Sequence, residues 1–268
     1  MENPLTPLFI SGIFTISLYV LVVATSLLKL RAARNSPSGL NIFTLSAVLV
    51  HGLFLYLLID QTERQNLTLF NMMSLTNWLA MIVLLINSFK RNVTLMTSII
   101  ASFALLSSAL GMAYPGEPEA QLSGQWITLL HIFSAITATG FLLLAAVQAI
   151  LLAFADMRLK SHPTHVPSYF PPLQSLESFL FQWLLIGFIL MSLSLVIAIF
   201  FLQEGFSNQP LHKSVLSTLA WFTFGILLVG HQWKGWRGMT AAKWTLAGFV
   251  LLSLGYFGSK LVIELILQ

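Results

Sequence analysis

Six histidines are the residues of this chain best able to do chemistry. The chain has no cysteine, which excludes thiol–disulfide chemistry, thiolate metal sites and iron–sulfur clusters carried by its own residues. It shows no phosphate loop, no paired buried carboxylates and no Ser/His/Asp order. What remains is imidazole, a ligand for metals and haem that is uncommon inside membrane spans. No bond-forming centre follows from these residues, so the sequence reads as a binding protein and not as an enzyme.

The elements that hold the histidines are set by composition. Apolar residues make up 57% of the chain and charged residues only 8%, too few for the surface of a soluble protein of this size. The expected fold is all-α, a polytopic bundle of transmembrane helices forming one integral membrane domain over residues 1–268. About 20 apolar residues are needed to cross the hydrocarbon core. Eight stretches meet this: Leu8–Leu28, Leu40–Ile59, Leu69–Phe89, Val93–Ala113, Trp126–Ala155, Phe179–Leu202, Ser214–Gly230 and Trp244–Leu265. Pro37-Ser38-Gly39 and Tyr114-Pro115-Gly116-Glu117-Pro118 break the chain between spans. The longest polar stretch, Asp156 to Ser178, holds Pro163, Pro167, Pro171 and Pro172 and reads as a linker. No Lys or Arg precedes the first span, so that span reads as retained and not as a cleaved signal.

Charge orients the bundle. Connections after the odd spans carry Lys29, Arg31 and Arg34, then Lys90 and Arg91, then Arg158 and Lys160, then Lys234, Arg237 and Lys243. The opposite ends carry only Arg64, Lys213 and Lys260, with most of the acidic residues. By the positive-inside rule both termini lie on the outer, periplasmic side. The cations fall in short loops at span ends, which gives no sign of a nucleic-acid partner.

Depth then sorts the histidines. His131 lies a turn or two inside the outer end of span five. His51 lies in span two about nine residues from Asp60, roughly 13 Å below the boundary at helical rise. His212 sits in the outer loop beside Lys213, His231 ends span seven on the inner side, and His162 and His165 belong to the inner linker. Two imidazoles from different segments at similar depth can hold one haem iron axially. His131 with His51 or His212 is such a set, and Lys213 and Arg64 could meet the propionates. The plainer reading is that each intramembrane histidine bridges helices, with Ser134 and Thr137 at hand for His131. Gln148 and Asn87 read as helix-bridging, Lys260 and Glu264 as an ion pair four residues apart, and Glu177 as an acidic residue opening span six. Gly225, Gly230, Gly248 and Gly255 read as easing helix contact.

Several segments then resemble a known family. Leu130-His131-Ile132, Gln148-Ala149-Ile150-Leu151-Leu152, Ser175-Leu176-Glu177, Gly187-Phe188, His212-Lys213, Trp221 and His231 occur in family order. Gly235-Trp236-Arg237-Gly238-Met239-Thr240-Ala241-Ala242, Gly248-Phe249 and Tyr256-Phe257-Gly258 follow. Over about Trp126 to Gln268 the chain resembles the cytochrome c assembly proteins of the CcsA, CcmC and CcmF group, within a small eight-span subgroup. The resemblance implies haem handling: passage of haem b to an outer platform where two histidines hold the iron and a tryptophan-rich segment presents the porphyrin. His131 matches the first outer histidine, and His231 the membrane histidine before the Gly-Trp-Arg-Gly turn. Two features depart from the pattern. Gln203 to Leu211 contains no tryptophan, and Ser259-Lys260-Leu261-Val262 offers no histidine after Tyr256-Phe257-Gly258.

The leading expectation is therefore a multi-pass protein of the bacterial inner membrane that binds haem b non-covalently, with His131 and either His51 or His212 on the iron, in cytochrome biogenesis. Its partners would be haem, the bilayer and other membrane proteins. A haem b electron-transfer subunit and a cofactor-free membrane partner or transporter are the alternatives.

Overall fold

The computed structural model describes residues 5–32, 38–60, 64–117, 122, 124–161, 171–201 and 211–261. His162, His165, Glu264 and the segment 203–210 lie outside the described residues. The described chain is helical: α1 Leu5–Arg31, α2 Ser38–Ile59, α3 Leu69–Ser88, α4 Thr94–Ala113, α5 Trp126–Ser161, α6 Leu173–Phe201, α7 Leu211–Lys234 and α8 Gly238–Ser253. A π-helical turn, Leu254–Gly258, and a last α-turn, Ser259–Leu261, continue α8. Among the described residues, eight helices are long and apolar enough to cross a membrane. An isolated antiparallel bridge between Asp60 and Gln65 closes the α2–α3 connection.

Several helices outrun their apolar stretches. α5 continues to Ser161, past the expected end at Ala155, because its last turns are supported by charge. Lys160 Nζ lies 2.8 Å from Asp156 Oδ2, an i,i+4 pair, and the Arg158 guanidinium sits 5.2 Å from the Phe154 ring centroid. α6 begins at Leu173, six residues before the apolar run at Phe179. Much of the Asp156–Ser178 linker is thus helical. Glu177 lies in the second turn of α6 and not at its start. His212 falls in the first turn of α7 and not in a loop.

The helices gather into two compact units, residues 1–124 and 125–268. Within the first, the main contacts run from α1 to α2, α2 to α3, α3 to α4 and α4 back to α1. Within the second they run from α5 to α6, α6 to α7, α7 to α8 and α8 back to α5. Each unit is a closed set of four helices, in which every helix buries one face against two neighbours and leaves other apolar side chains, such as Phe14, Leu49, Phe133 and Ile189, exposed.

The first unit is pinned by polar groups drawn from all four of its helices. Tyr19 of α1, His51 of α2, Ser74 of α3 and Ser108 of α4 are all fully buried. The Tyr19 hydroxyl is 2.8 Å from His51 Nδ1, and His51 Nε2 is 2.8 Å from Ser74 Oγ and 3.2 Å from Ser108 Oγ. The two serine oxygens are 3.3 Å apart. The arrangement that uses the hydrogens of both the tyrosine and the imidazole has the Tyr19 O–H donating to Nδ1, with the Nε2–H shared by the two serines. In hydrocarbon each of these groups would be costly alone, so the four helices can meet in only one register. Further rungs join α3 to α4. Asn77 Nδ2 donates to Ser107 Oγ at 3.1 Å, and Asn71 Nδ2 donates to the Pro115 carbonyl at 3.3 Å.

Tyr19→Phe strips the donor from His51 Nδ1 while keeping the ring. Its expected cost is about 1 kcal/mol, the scale of an interhelical hydrogen bond in a membrane protein. His51→Ala adds a cavity and should cost about 2–4 kcal/mol. Unfolding of the purified protein in mixed micelles checks both; equal stability of the two variants and the parent would dissolve the proposed knot.

Candidate functional site

His131 is half-buried in the second turn of α5, and its partner comes from α6. His131 Nδ1 lies 3.0 Å from the Ser194 carbonyl oxygen and 3.0 Å from Ser194 Oγ. A carbonyl can only accept, so the hydrogen of this imidazole is on Nδ1. Nε2 then carries a bare lone pair and has no hydrogen-bond partner among the described residues. This is the state in which histidine ligates a metal: the N–H held by a carbonyl that fixes the ring, the other nitrogen open. Ser134 and Thr137 do not serve the ring. Their hydroxyls donate to the backbone carbonyls of His131 and Phe133 within α5.

Charge collects around the same end of the second unit. The Lys213 ammonium is near enough to act electrostatically on His131, and Lys260 acts likewise on Lys213. Lys213 Nζ lies 5.5 Å from the centre of the Tyr256 ring, a cation–π contact. The π-helical turn shapes this contact. Its Gly255 packs against α7, where a Cβ would stand 3.1 Å from Leu216 Cβ and 3.4 Å from the Lys213 carbonyl. Wide turns of this kind are frequent at functional sites. His212 is exposed and directly precedes Lys213. Two histidines and two ammonium groups thus share one end of the second unit, a set suited to a metal-bearing anion.

The other two expected site residues, His51 and Arg64, belong to the first unit. Both ring nitrogens of His51 are engaged in the knot of the first unit, which leaves it no open lone pair. Those bonds join α2 to α1, α3 and α4. Arg64 is exposed in the α2–α3 connection of the first unit.

The Gly-Trp-Arg-Gly turn lies at the far end of α7, just past His231, which is itself 18 residues beyond Lys213 or roughly 27 Å at helical rise. Gly235 takes a left-handed φ of 64°, which reverses the chain. The Trp236 N–H then reaches the Gly230 carbonyl at 3.2 Å. Its ring lies so close over Gly230 that a Cβ there would be 2.4 Å from it. His231 closes the turn by donating Nδ1–H to the Trp236 carbonyl at 2.8 Å, and its ring stacks on Phe181 of α6 at 3.6 Å. Here too Nε2 has no hydrogen-bond partner among the described residues.

A family model described as cytochrome C assembly protein matches residues 39–267, most of the chain. The chain belongs to the cytochrome c assembly protein family. It is 35% identical over 207 residues to the inner membrane protein YpjD of Escherichia coli K12, covering 77% of this chain and 79% of that protein. The YpjD of E. coli O157:H7 matches to the same extent. An uncharacterized 28.8 kDa protein in the nifR3-like 5′ region of Azospirillum brasilense is 30% identical over 147 residues, 54% of each chain. No solved structure matches. The family match begins in α2 and so takes in most of the first unit, well upstream of Trp126, where the motifs carrying the resemblance begin.

Gly235→Ala forces a side chain into the left-handed region and should cost about 1 kcal/mol. The midpoint of thermal unfolding in detergent measures it. An unchanged midpoint would mean that the turn does not depend on that backbone conformation.

Proposed function

We propose that this protein handles haem in cytochrome c biogenesis and holds haem b through His131. The observation that carries the reading is the Nδ1–H bond from His131 to the Ser194 carbonyl, which leaves Nε2 as an oriented lone pair at a half-buried position. The donor set fits the group. A neutral imidazole suits an iron axial position, and neighbouring ammonium groups suit two propionates. His131 would supply one ligand and His212 the second, since His51 is committed to its own bundle. Lys213, with Lys260 in the place expected of Arg64, would take the propionates. When bound, the haem would supply a reducible iron centre. The protein's own part is to fix the imidazole, balance the carboxylates and shield one face with the apolar helices.

The orientation that goes with this reading puts the His131 end outward. Lys234, Arg237 and Lys243 cluster at the other end of the second unit, and the excess of cations marks the cytoplasmic side. The name of the E. coli relatives supports an inner-membrane setting. With no tryptophan between Gln203 and Leu211, the reading is holding or passing haem and not presenting it to an apocytochrome.

The test is the visible spectrum of purified protein, as isolated and after titration with haem. A sharp, reducible b-type band is expected. His131→Ala should abolish it, and His212→Ala should convert a six-coordinate low-spin spectrum to a five-coordinate one. Ser194→Ala should leave the band in place, because the acceptor that orients His131 is a peptide carbonyl. Tyr19→Phe should also leave it. A protein that stays colourless after haem titration, or a band that survives His131→Ala, would refute the proposal.

A further inference from the structure

A groove of about 800 Å³ runs between α6 and α7 at the end of the second unit away from His131. Its long wall is apolar, with Leu185, Phe188 and Ile189 from α6 facing Leu228 and Val229 from α7. Leu185, Ile189 and Val229 are each about half exposed, so this wall is open on the lipid-facing side. Its head is polar and holds three groups of different character: Glu177, His231 and Arg237.

Each group lacks something specific. Glu177 Oε1 is buried without a hydrogen bond, and Arg237 Nε, 3.8 Å away, is too distant to supply one. His231 presents Nε2 as an acceptor, because its hydrogen is held by the Trp236 carbonyl. The Arg237 side chain is 72% exposed and keeps most of its donors for an anion. The head thus asks for a group rich in N–H or O–H donors with a negative charge beside it, and the wall asks for a hydrocarbon chain. Depth agrees. Trp233, Trp236 and Trp244 with Lys234 and Lys243 are the residues that collect at the level of lipid headgroups.

We propose that this groove is a selective site for an aminophospholipid of the phosphatidylethanolamine type. The ammonium donates to the Glu177 carboxylate and to His231 Nε2, the phosphate pairs with Arg237, and an acyl chain lies along the apolar wall. A choline headgroup carries the same charge but has no N–H to donate. A glycerol headgroup has hydroxyl donors but no cation for Glu177. The inference is independent of haem binding at His131.

The test is native mass spectrometry of the detergent-purified full chain with phosphatidylethanolamine, its N-methyl and N,N-dimethyl forms, and phosphatidylcholine, all with the same acyl chains. Affinity should fall stepwise with methylation, by about five-fold or more across the series, and phosphatidylglycerol should bind more weakly than phosphatidylethanolamine. Glu177→Gln should flatten the series, while Tyr19→Phe should leave it intact. Equal binding across the series, or preference for phosphatidylglycerol, would overturn the proposal. Equally tight binding of soluble glycerophosphoethanolamine would show a headgroup site with no lipid requirement. Displacement of the lipid by a short-chain quinol at lower concentration would assign the groove to a quinol. Loss of the b-type band on His231→Ala, with lipid binding unchanged, would assign that nitrogen to iron.

Discussion

A neutral imidazole away from water has one hydrogen to place and one lone pair to fill, and hydrocarbon offers nothing for either. The protein meets this constraint in two ways. In the first unit it fills both needs at once, so that His51 becomes the meeting point of four helices. In the second unit it fills only the hydrogen's need, with a peptide carbonyl each time, at His131 and at His231. The difference separates a histidine with both nitrogens engaged from two whose Nε2 has no hydrogen-bond partner among the described residues. Tautomer, set by one hydrogen bond, thus ties the packing of each imidazole to the lone pair it presents.

The bundle itself was legible because a scarcity of charge over so long a chain admits few other folds. All eight expected spans coincide with helices, and errors fall at their ends. Hydropathy registers the part of a helix that needs lipid, whereas the backbone keeps coiling wherever local side chains support it, as Asp156 and Lys160 do for α5. Single polar residues were read with mixed success. Gln148 does bridge helices, donating to the Leu176 carbonyl of α6 at 3.1 Å. Asn87 instead donates to the Val83 carbonyl of its own helix. Composition cannot distinguish these, because either bond satisfies the amide.

The partners of the histidines were beyond reach for a related reason. Tyr19, Ser74 and Ser108 lie 32, 23 and 57 residues from His51, and Ser194 lies 63 from His131. Serine is common in spans and carries no motif, so nothing marks the few that face an imidazole. His131 drew attention because the family pattern surrounds it, and Lys213 because a cation on the sparsely charged side is conspicuous. Lys260 escaped notice as a neighbour of Lys213, since its sequence position offers a closer companion in Glu264.

The π-helical turn at Leu254–Gly258 has a consequence for everything beyond it. One residue more per turn than the α-helix needs sets the following side chains about 100° around the axis from where an unbroken helix would carry them. The azimuth of Lys260 is thus decided by this local overcount and not by the apolar stripe of α8 upstream. A chain of the same hydropathy but lacking the extra residue would still cross a bilayer. It would aim its terminal ammonium elsewhere.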